Sequence, residues 1–368
     1  MSPDLKKRPV PRKDIADIAP YVPGKPIEEL TRQYGIARPI KLASNENPLG
    51  PPPIVLESIQ KVLSSLHRYP DGAARILVAK LSRKLGVDEG CVILGNGSDE
   101  IIQLLALAYL NPGDQAVMSD PSFLMYEISV RTAGGVPVKI PLKNMTWDMD
   151  ATLAAIGGRT RIVFVNNPNN PTGASISKAE FEAFLKRIPP SVIVCVDEAY
   201  IDFVRDQNCA IGTDYLKSDN TVAVLRTFSK IYGMAGLRLG YGILPAEICG
   251  ILNRIRLPFN ANSLAQAAAT AVLDDDGFVE KTRKTVHEGL DYLYGQMERM
   301  GLPYVPSQAN YFLVKMPRKA DEVFEALLQQ GVIVRSMRAY GYPDYIRVSA
   351  GLFGENRRFV EALEAVLA

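Results

Sequence analysis

Apolar residues fall into two patterns along the chain. Five short continuous runs stand between residues 91 and 225: CVIL (91–94), QAVMS (115–119), RIVFV (161–165), VIVCV (192–196) and TVAVL (221–225). Each is followed by a polar turn and then a stretch with helical spacing. Short β-branched runs of this kind suit strands buried on both faces, and their alternation with helices predicts a mainly parallel sheet. The first clear helix is VLESIQKVLSSL, where Val55, Ile59, Val62, Leu63 and Leu66 recur at helical spacing. The last third changes character. YFLVKM (311–316), ADEVFEALLQQ ended by Gly331, VIVR (332–335), YIRVSAG (345–351) and ENRRFVEALEAVLA follow a β-α-β-β-α order. That order predicts a compact α+β unit, joined to the sheet by a helical stretch over about 263–300. The first 40 residues carry seven prolines, from Pro3 to Pro39, and are expected to run as an extended arm. The expected division is therefore an arm over 1–40, a large α/β domain over 41–262 and a small domain over 263–368.

Composition narrows the class. The 368 residues hold 42 Lys+Arg against 40 Asp+Glu, a formal net charge of +2. Near-neutrality argues against a protein built to grip nucleic acid or an anionic membrane. No apolar stretch approaches the ~18–20 residues that span a bilayer. The basic, Pro-rich start MSPDLKKRPVPRKD lacks the apolar core of a signal peptide. Cys91, Cys195, Cys209 and Cys249 are widely spaced without a C-x-x-C, as expected of core thiols in a reducing compartment, so a cytoplasmic protein is expected. Two histidines, His67 and His287, exclude a multi-histidine metal site, and no metal is expected.

Ligands on such sheets bind at the carboxyl ends of the strands, and candidate chemistry follows each run. After CVIL comes GNGSDE (95–100). Two glycines and Ser98 opening a helix make an anion site or an ordinary capped turn. The dinucleotide pattern G-x-G-x-x-G is incomplete, because Glu100 stands at the third glycine. After RIVFV, NNPNNPTG (166–173) reads equally as turn chemistry or as amide donors at the ligand edge. After VIVCV, DEAY (197–200) places Asp197 at the end of an apolar strand, where a carboxylate is costly unless paired. After TVAVL, RTFSKIYGMAGLRLGY (226–241) places Lys230 among small and hydroxyl residues, with Arg238 eight residues on. A lysine held near a buried acid can serve as an amine nucleophile. Arg335, Arg338 and Arg347 lie in or beside strands, where a guanidinium suits a carboxylate or phosphate unless it faces solvent.

Taken together, the clusters supply what pyridoxal phosphate requires: a lysine, a carboxylate, phenolic-oxygen donors, a phosphate cradle and a ring to stack on. The order NNPNNPTG, VDEAY, TFSKIYGMAGLRLGY resembles the fold-type I pyridoxal-phosphate aminotransferases. With KLASNENPLGP (41–51), HRYPD (67–71), GNGSDE and YIRVSAG, it resembles their histidinol-phosphate branch, from about residue 21 to the end. That branch also holds aromatic-amino-acid aminotransferases and threonine-phosphate decarboxylase. A nucleotide-binding, methyltransferase-like protein is a remote rival that leaves Asp197, Lys230 and Arg238 without a role.

The resemblance implies a seven-stranded-type, mainly parallel sheet flanked by helices, with a smaller α+β domain. It implies that Lys230 bonds the cofactor's aldehyde carbon and moves the proton. Asp197 would pair with the pyridinium nitrogen, and Asn170 and Tyr200 would bind the phenolic oxygen. Gly97, Ser98, Asp99, Thr227, Ser229 and Arg238 would hold the phosphate, and Phe123 would stack on the ring. Tyr69 would reach the partner's cofactor phosphate, making the site complete only in a homodimer. Arg347 would take a substrate carboxylate. Asn45, Tyr21 of the partner's arm, and Arg335 alone or with Arg338 would hold the substrate. The expected reaction moves the amino group of L-histidinol phosphate to 2-oxoglutarate, giving imidazole-acetol phosphate and glutamate, as in histidine biosynthesis.

Overall fold

A computed structural model of the chain describes residues 9–20, 24–36 and 38–368. Its thirteen strands, in chain order, are β1 (Ile40–Lys41), β2 (Val92–Gly95), β3 (Gln115–Asp120), β4 (Val136–Pro141), β5 (Thr160–Asn166), β6 (Ile193–Asp197), β7 (Thr221–Thr227), β8 (Gly240–Ile243), β9 (Tyr304–Val305), β10 (Tyr311–Lys315), β11 (Val332–Ile333), β12 (Arg335–Ser336) and β13 (Tyr345–Ser349).

Seven of them form one sheet in the order β2-β8-β7-β6-β5-β3-β4. Strands β4, β3, β5, β6 and β7 run parallel, while β8 is antiparallel to both β7 and β2. All five sequence runs are strands of this sheet. Side chains alternate across a strand, so both faces must be covered. On β5, Ile162 and Phe164 join a core with Ile101, Ile102 and Leu105 of the helix Ser98–Tyr109. Val163 and Val165 point the other way, into a core with Phe181, Phe184 and Phe228. Each such aliphatic burial contributes roughly 1.5–3 kcal/mol, and double-sided burial fixes the register because a one-residue slip would swap every face.

The C-terminal part is an antiparallel sheet, β12-β13-β10-β9, backed by helices Ala320–Gln329 and Phe353–Leu367. The run VIVR does not stay one strand. Val332–Ile333 pairs in parallel with Ile40–Lys41, and Arg335–Ser336 pairs with β13. The helical stretch over 263–300 is two helices, Ser263–Val272 and Asp276–Arg299.

The N-terminal segment departs from an extended arm. Residues Ile27–Tyr34 form a helix, with Pro26 at its N-cap position where a missing N–H costs nothing and Gly35 ending it at φ 70°. Leu30 of that helix is fully buried against Ala43, Leu328 and Ile333. A shorter helix, Lys13–Ala16, is tied to the helix Met125–Ala133 by Arg12, which donates to the Thr132 carbonyl. Among the described residues no helix is long and apolar enough to cross a membrane.

Candidate active site

The carboxyl ends of β5, β6 and β7 open on a cavity of about 380 Å³ lined by Asn166, Asn170, Asp197, Tyr200 and Lys230, with the 97–99 turn and Arg238 at one end. Phe123, Thr227 and Ser229 also line it. A smaller chamber of about 90 Å³ continues past Lys230 and Asn170 to Asn45, Arg335 and Arg347. Thirteen of the residues singled out above therefore share two adjoining spaces, together with Asn45.

Asp197 ends β6 and is almost fully buried. The hydroxyl of Tyr126 donates to its Oδ2 at 2.7 Å, and the Ala199 N–H donates to Oδ1 at 3.1 Å. Burial pushes its carboxyl up to about 6, against these two donors, with Asp99 and Glu198 adding repulsion. Sequence reasoning missed Tyr126, because a tyrosine three residues after Phe123 reads as a helix core position. It is one, with no exposure and its ring stacked on Phe164 at 4.7 Å.

Lys230 sits in the loop after β7, and its Nζ donates to the Ser44 carbonyl at 3.3 Å. That loop is held by Asn47, whose Nδ2 donates to the carbonyls of Lys230 and Ile231. Its tight approach to SNENPLG requires Gly233: φ is 68°, and an added Cβ would stand 2.3 Å from the Gly50 carbonyl oxygen. The small residues around Lys230 thus let two loops meet, and Asn47 is a second group the sequence reading did not find.

At the far end, Gly97 precedes the helix Ser98–Tyr109 with φ 81°. A Cβ there would collide with Asp99 and with the Arg238 guanidinium. Arg238 pairs with Asp99 at 3.1 Å, and its carbonyl accepts from the Gly97 N–H. Ser98 opens the helix rather than capping it, so its N–H and that of Asp99 lack intrahelical partners and carry the positive end of the helix dipole. The result is a donor-rich corner, with a guanidinium and a helix N-terminus, suited to an anion.

NNPNNPTG divides its labour. Asn167 accepts from the Ile176 N–H, Asn169 accepts from Ser122, and both build the turn. Asn166 holds the Asn170 N–H and the Asp197 carbonyl. The Asn170 side chain lines the cavity, its Oδ1 taken by Arg347 Nη1 at 2.6 Å, which leaves its amide N–H₂ as the cavity-facing group.

Arg347 is 5% exposed, lies 5.0 Å from the Tyr311 ring, and among the described residues its Nε has no hydrogen-bond partner. It stands directly across the β12–β13 ladder from Arg335. Opposed like charges destabilise a ladder unless an anion lies between them. Arg338, by contrast, turns outward to Asp321 at 3.0 Å and is absent from the smaller chamber.

Two expected residues stand apart. Tyr69 is 82% exposed, stacked on Phe259 at 4.6 Å, and lines neither space. Tyr21 lies outside the described residues. Its neighbours do not: Pro20 lines a cavity beside Arg335 of the same chain, and Gly24 lines the smaller chamber.

A seven-stranded α/β sheet with a lysine, a buried acid and an anion corner at its carboxyl edge defines a fold-type I aminotransferase. The chain belongs to the family described as aminotransferase class I and II, whose sequence profile matches residues 37–363. It is 49% identical to the histidinol-phosphate aminotransferase of Moorella thermoacetica over 97% of this chain and 93% of that protein. It is 45% identical to the histidinol-phosphate aminotransferase of Caldicellulosiruptor saccharolyticus over 97% of this chain and 99% of that one. Among solved structures, the histidinol-phosphate aminotransferase of Sinorhizobium meliloti, in complex with pyridoxal 5′-phosphate, superposes with a TM-score of 0.89 at 24% identity, covering 98% and 99% of the two chains. The family's cofactor is pyridoxal 5′-phosphate. The residues present fit it: at Gly97 a Cβ would strike Asp99 and Arg238, so only glycine lets the helix start come close, its N–H groups and the Arg238 guanidinium gather at that end, and a buried carboxylate stands at the other end.

Proposed function

We propose that the chain transfers the amino group of L-histidinol phosphate to 2-oxoglutarate, as a cytoplasmic homodimer, in histidine biosynthesis. The observation that carries this reading is one connected space presenting Lys230 and Asp197 at its floor and the opposed pair Arg335 and Arg347 at its inner end. Near full-length identity to the two named relatives supports the choice of substrate.

In this reading the cofactor supplies an aldehyde carbon that bonds amines and a ring that draws off the electron pair left at the substrate's Cα. Asp197, ionised, would hold the ring nitrogen, and Asn170 and Tyr200 would donate to the phenolic oxygen. Ser98, Asp99, Thr227, Ser229 and Arg238 would hold the phosphate, and Phe123 would cover one face of the ring. Lys230 would hold the cofactor covalently through its aldehyde carbon, and its Nζ, when free, would be the base that carries the substrate's Cα proton. Arg335 and Arg347 serve both half-reactions. L-Histidinol phosphate brings a phosphate and no carboxylate, whereas glutamate and 2-oxoglutarate bring two carboxylates, and guanidinium forks accept either group.

The dimer is supported by the outer surface. Leu66, Tyr69, Leu257 and Phe259 on neighbouring loops, and Ile76 at the start of the helix Arg75–Leu85, are exposed, and Tyr69 and Phe259 stack. Apolar surface clustered in this way marks an interface, here with a second copy that would receive Tyr69. An assay run side by side with L-histidinol phosphate, phenylalanine and threonine phosphate tests the substrate. The expected result is the largest kcat/KM for L-histidinol phosphate, with glutamate formed from 2-oxoglutarate. Carbon dioxide release from threonine phosphate, or preference for phenylalanine, overturns it.

A further inference from the structure

Asn45 stands beside the site but turns its amide away from Arg335 and toward Tyr200. It is 2% exposed, with φ 55°, a left-handed conformation that asparagine tolerates better than most residues. Its Nδ2 donates to the Tyr200 hydroxyl at 2.9 Å. Its Oδ1 accepts from the Ser349 hydroxyl at 3.0 Å, and that same hydroxyl accepts from the Asn45 backbone N–H at 3.0 Å.

The Asn45 backbone N–H can only donate, so the Ser349 oxygen accepts there, and its hydroxyl proton lies on Asn45 Oδ1. With Oδ1 occupied as an acceptor, the group that meets Tyr200 is the amide N–H₂. Tyr200 therefore receives a proton and does not give its own to Asn45. Among the described residues the structure gives the Tyr200 proton no acceptor, and Tyr200 lines both spaces. A phenol proton left without an acceptor in a buried setting is costly, and a ligand oxygen in the cavity relieves it.

We propose that Asn45, anchored by Ser349, is a positioning residue that fixes Tyr200 as a hydrogen-bond donor into the cavity. Resting on the cofactor reading above, this directs the Tyr200 proton to the cofactor's phenolic oxygen and favours the anionic form of that oxygen. The anchor comes from the small sheet, because Ser349 ends β13. The Asn45 carbonyl is also held from there, by Asn310 Nδ2 at 3.0 Å. The C-terminal domain thus sets a proton direction on the large sheet without touching the cofactor.

Asn45→Asp tests the idea with little change of shape, since aspartate also tolerates a left-handed backbone. Its second oxygen accepts where the amide donated, which turns the Tyr200 proton back onto residue 45. Expected results are a cofactor dissociation constant about tenfold weaker and a visible absorbance band whose pH midpoint rises by about one unit, because the donor that favoured the anionic oxygen is gone. Tyr200→Phe is expected to give the same two changes. Combining it with Asn45→Asp is expected to add less than about twofold, as befits a residue acting only through Tyr200. Ser349→Ala, which frees the amide to turn over, is expected to give a smaller change in the same direction, and it keeps the test open if Asn45→Asp fails to fold. The inference is overturned if Asn45→Asp and Ser349→Ala leave both readouts at wild-type values, or if the effect of Asn45→Asp multiplies in full with that of Tyr200→Phe. Absence of any visible band in the wild-type holoprotein sinks the cofactor reading itself, a separate outcome.

Discussion

The floor of the site and its outer edge are built on opposite terms. On the floor, Asp197, Asn170, Tyr200 and Arg347 are each less than a tenth exposed and are held by partners from their own chain. At the edge, Tyr69 and Arg75 lie open to solvent, and Leu66, Ile76, Leu257 and Phe259 leave apolar surface exposed. The floor is finished within one chain, whereas at the edge Tyr69 lines neither space of its own chain's site. Chemistry that depends on a desolvated acid and a fixed amine needs the first arrangement. The second is what the proposed dimer would require, with Tyr69 serving the partner's site.

The sharpest way to break the contrast is at the floor. Lys230→Ala removes both the amine that bonds the cofactor and the base that moves the proton. Activity is expected to fall by more than about 10⁴-fold, with loss of the holoenzyme's visible band. Full activity in this variant ends the aminotransferase reading of the site, however well the edge behaves.

Asp197→Asn is the next largest. It keeps the shape and removes the charge that holds the ring nitrogen, for an expected loss of about 10²-fold or more in kcat. A second readout needs no cofactor. The folded carboxyl titrates near 6, above the ordinary carboxylate range, because it is buried. Between about pH 4 and pH 6 the folded protein keeps a proton that the unfolded chain has released, so stability falls as pH rises through that window. Above it the buried charge costs on the order of 2–3 kcal/mol. The cofactor-free Asn variant should therefore gain urea resistance over wild type at pH 8 and little or none at pH 4. An equal difference at both values means that Asp197 is not a buried ion.

What could be read beforehand follows the same divide. The five apolar runs were legible because a strand buried on both faces has no polar positions to confuse the pattern. Asp197, Lys230 and the 97–99 turn were legible because chemistry collects at the carboxyl edge of such a sheet. Strand β8 was hidden: GYGI carries two glycines and lies within the run RTFSKIYGMAGLRLGY, where Gly240 is needed so that its backbone can pass Ser98. The helix Ile27–Tyr34 was hidden by the prolines on both sides, Pro20, Pro23 and Pro26 before it and Pro39 after it. Tyr126 and Asn47 act only through other residues, and nothing in their spacing shows which group they touch. Asn45 and Arg338 were expected to hold the substrate, but the coordinates turn one to Tyr200 and the other to Asp321.

The edge can be tested without disturbing the floor. Tyr69→Ala is expected to lower activity by about tenfold, the value of one charge-assisted hydrogen bond to a phosphate. Mixing it with Lys230→Ala chains distinguishes the two terms of the comparison. If Tyr69 serves the partner, each mixed dimer holds one intact site, and re-equilibrated mixtures should recover about a quarter of wild-type activity. No recovery above the Tyr69→Ala protein alone places Tyr69 outside the partner's site.

The smallest effect is expected from Tyr126→Phe, inside the floor. The variant keeps the ring that stacks on Phe164 and removes only the hydroxyl that donates to Asp197 Oδ2. That donor favours the ionised acid, so its loss must push the carboxyl still further above 6. A smaller fraction of the protein then carries the charge that holds the cofactor at neutral pH. Cofactor affinity is expected to drop about threefold to tenfold near pH 7 and to recover toward wild type near pH 9, where the acid is ionised in both proteins. Direct titration of the cofactor-free protein at the two pH values checks it. A loss that is the same at both pH values assigns Tyr126 to packing alone, and the floor would then owe its charge to Asp197 and the Ala199 N–H without the phenol.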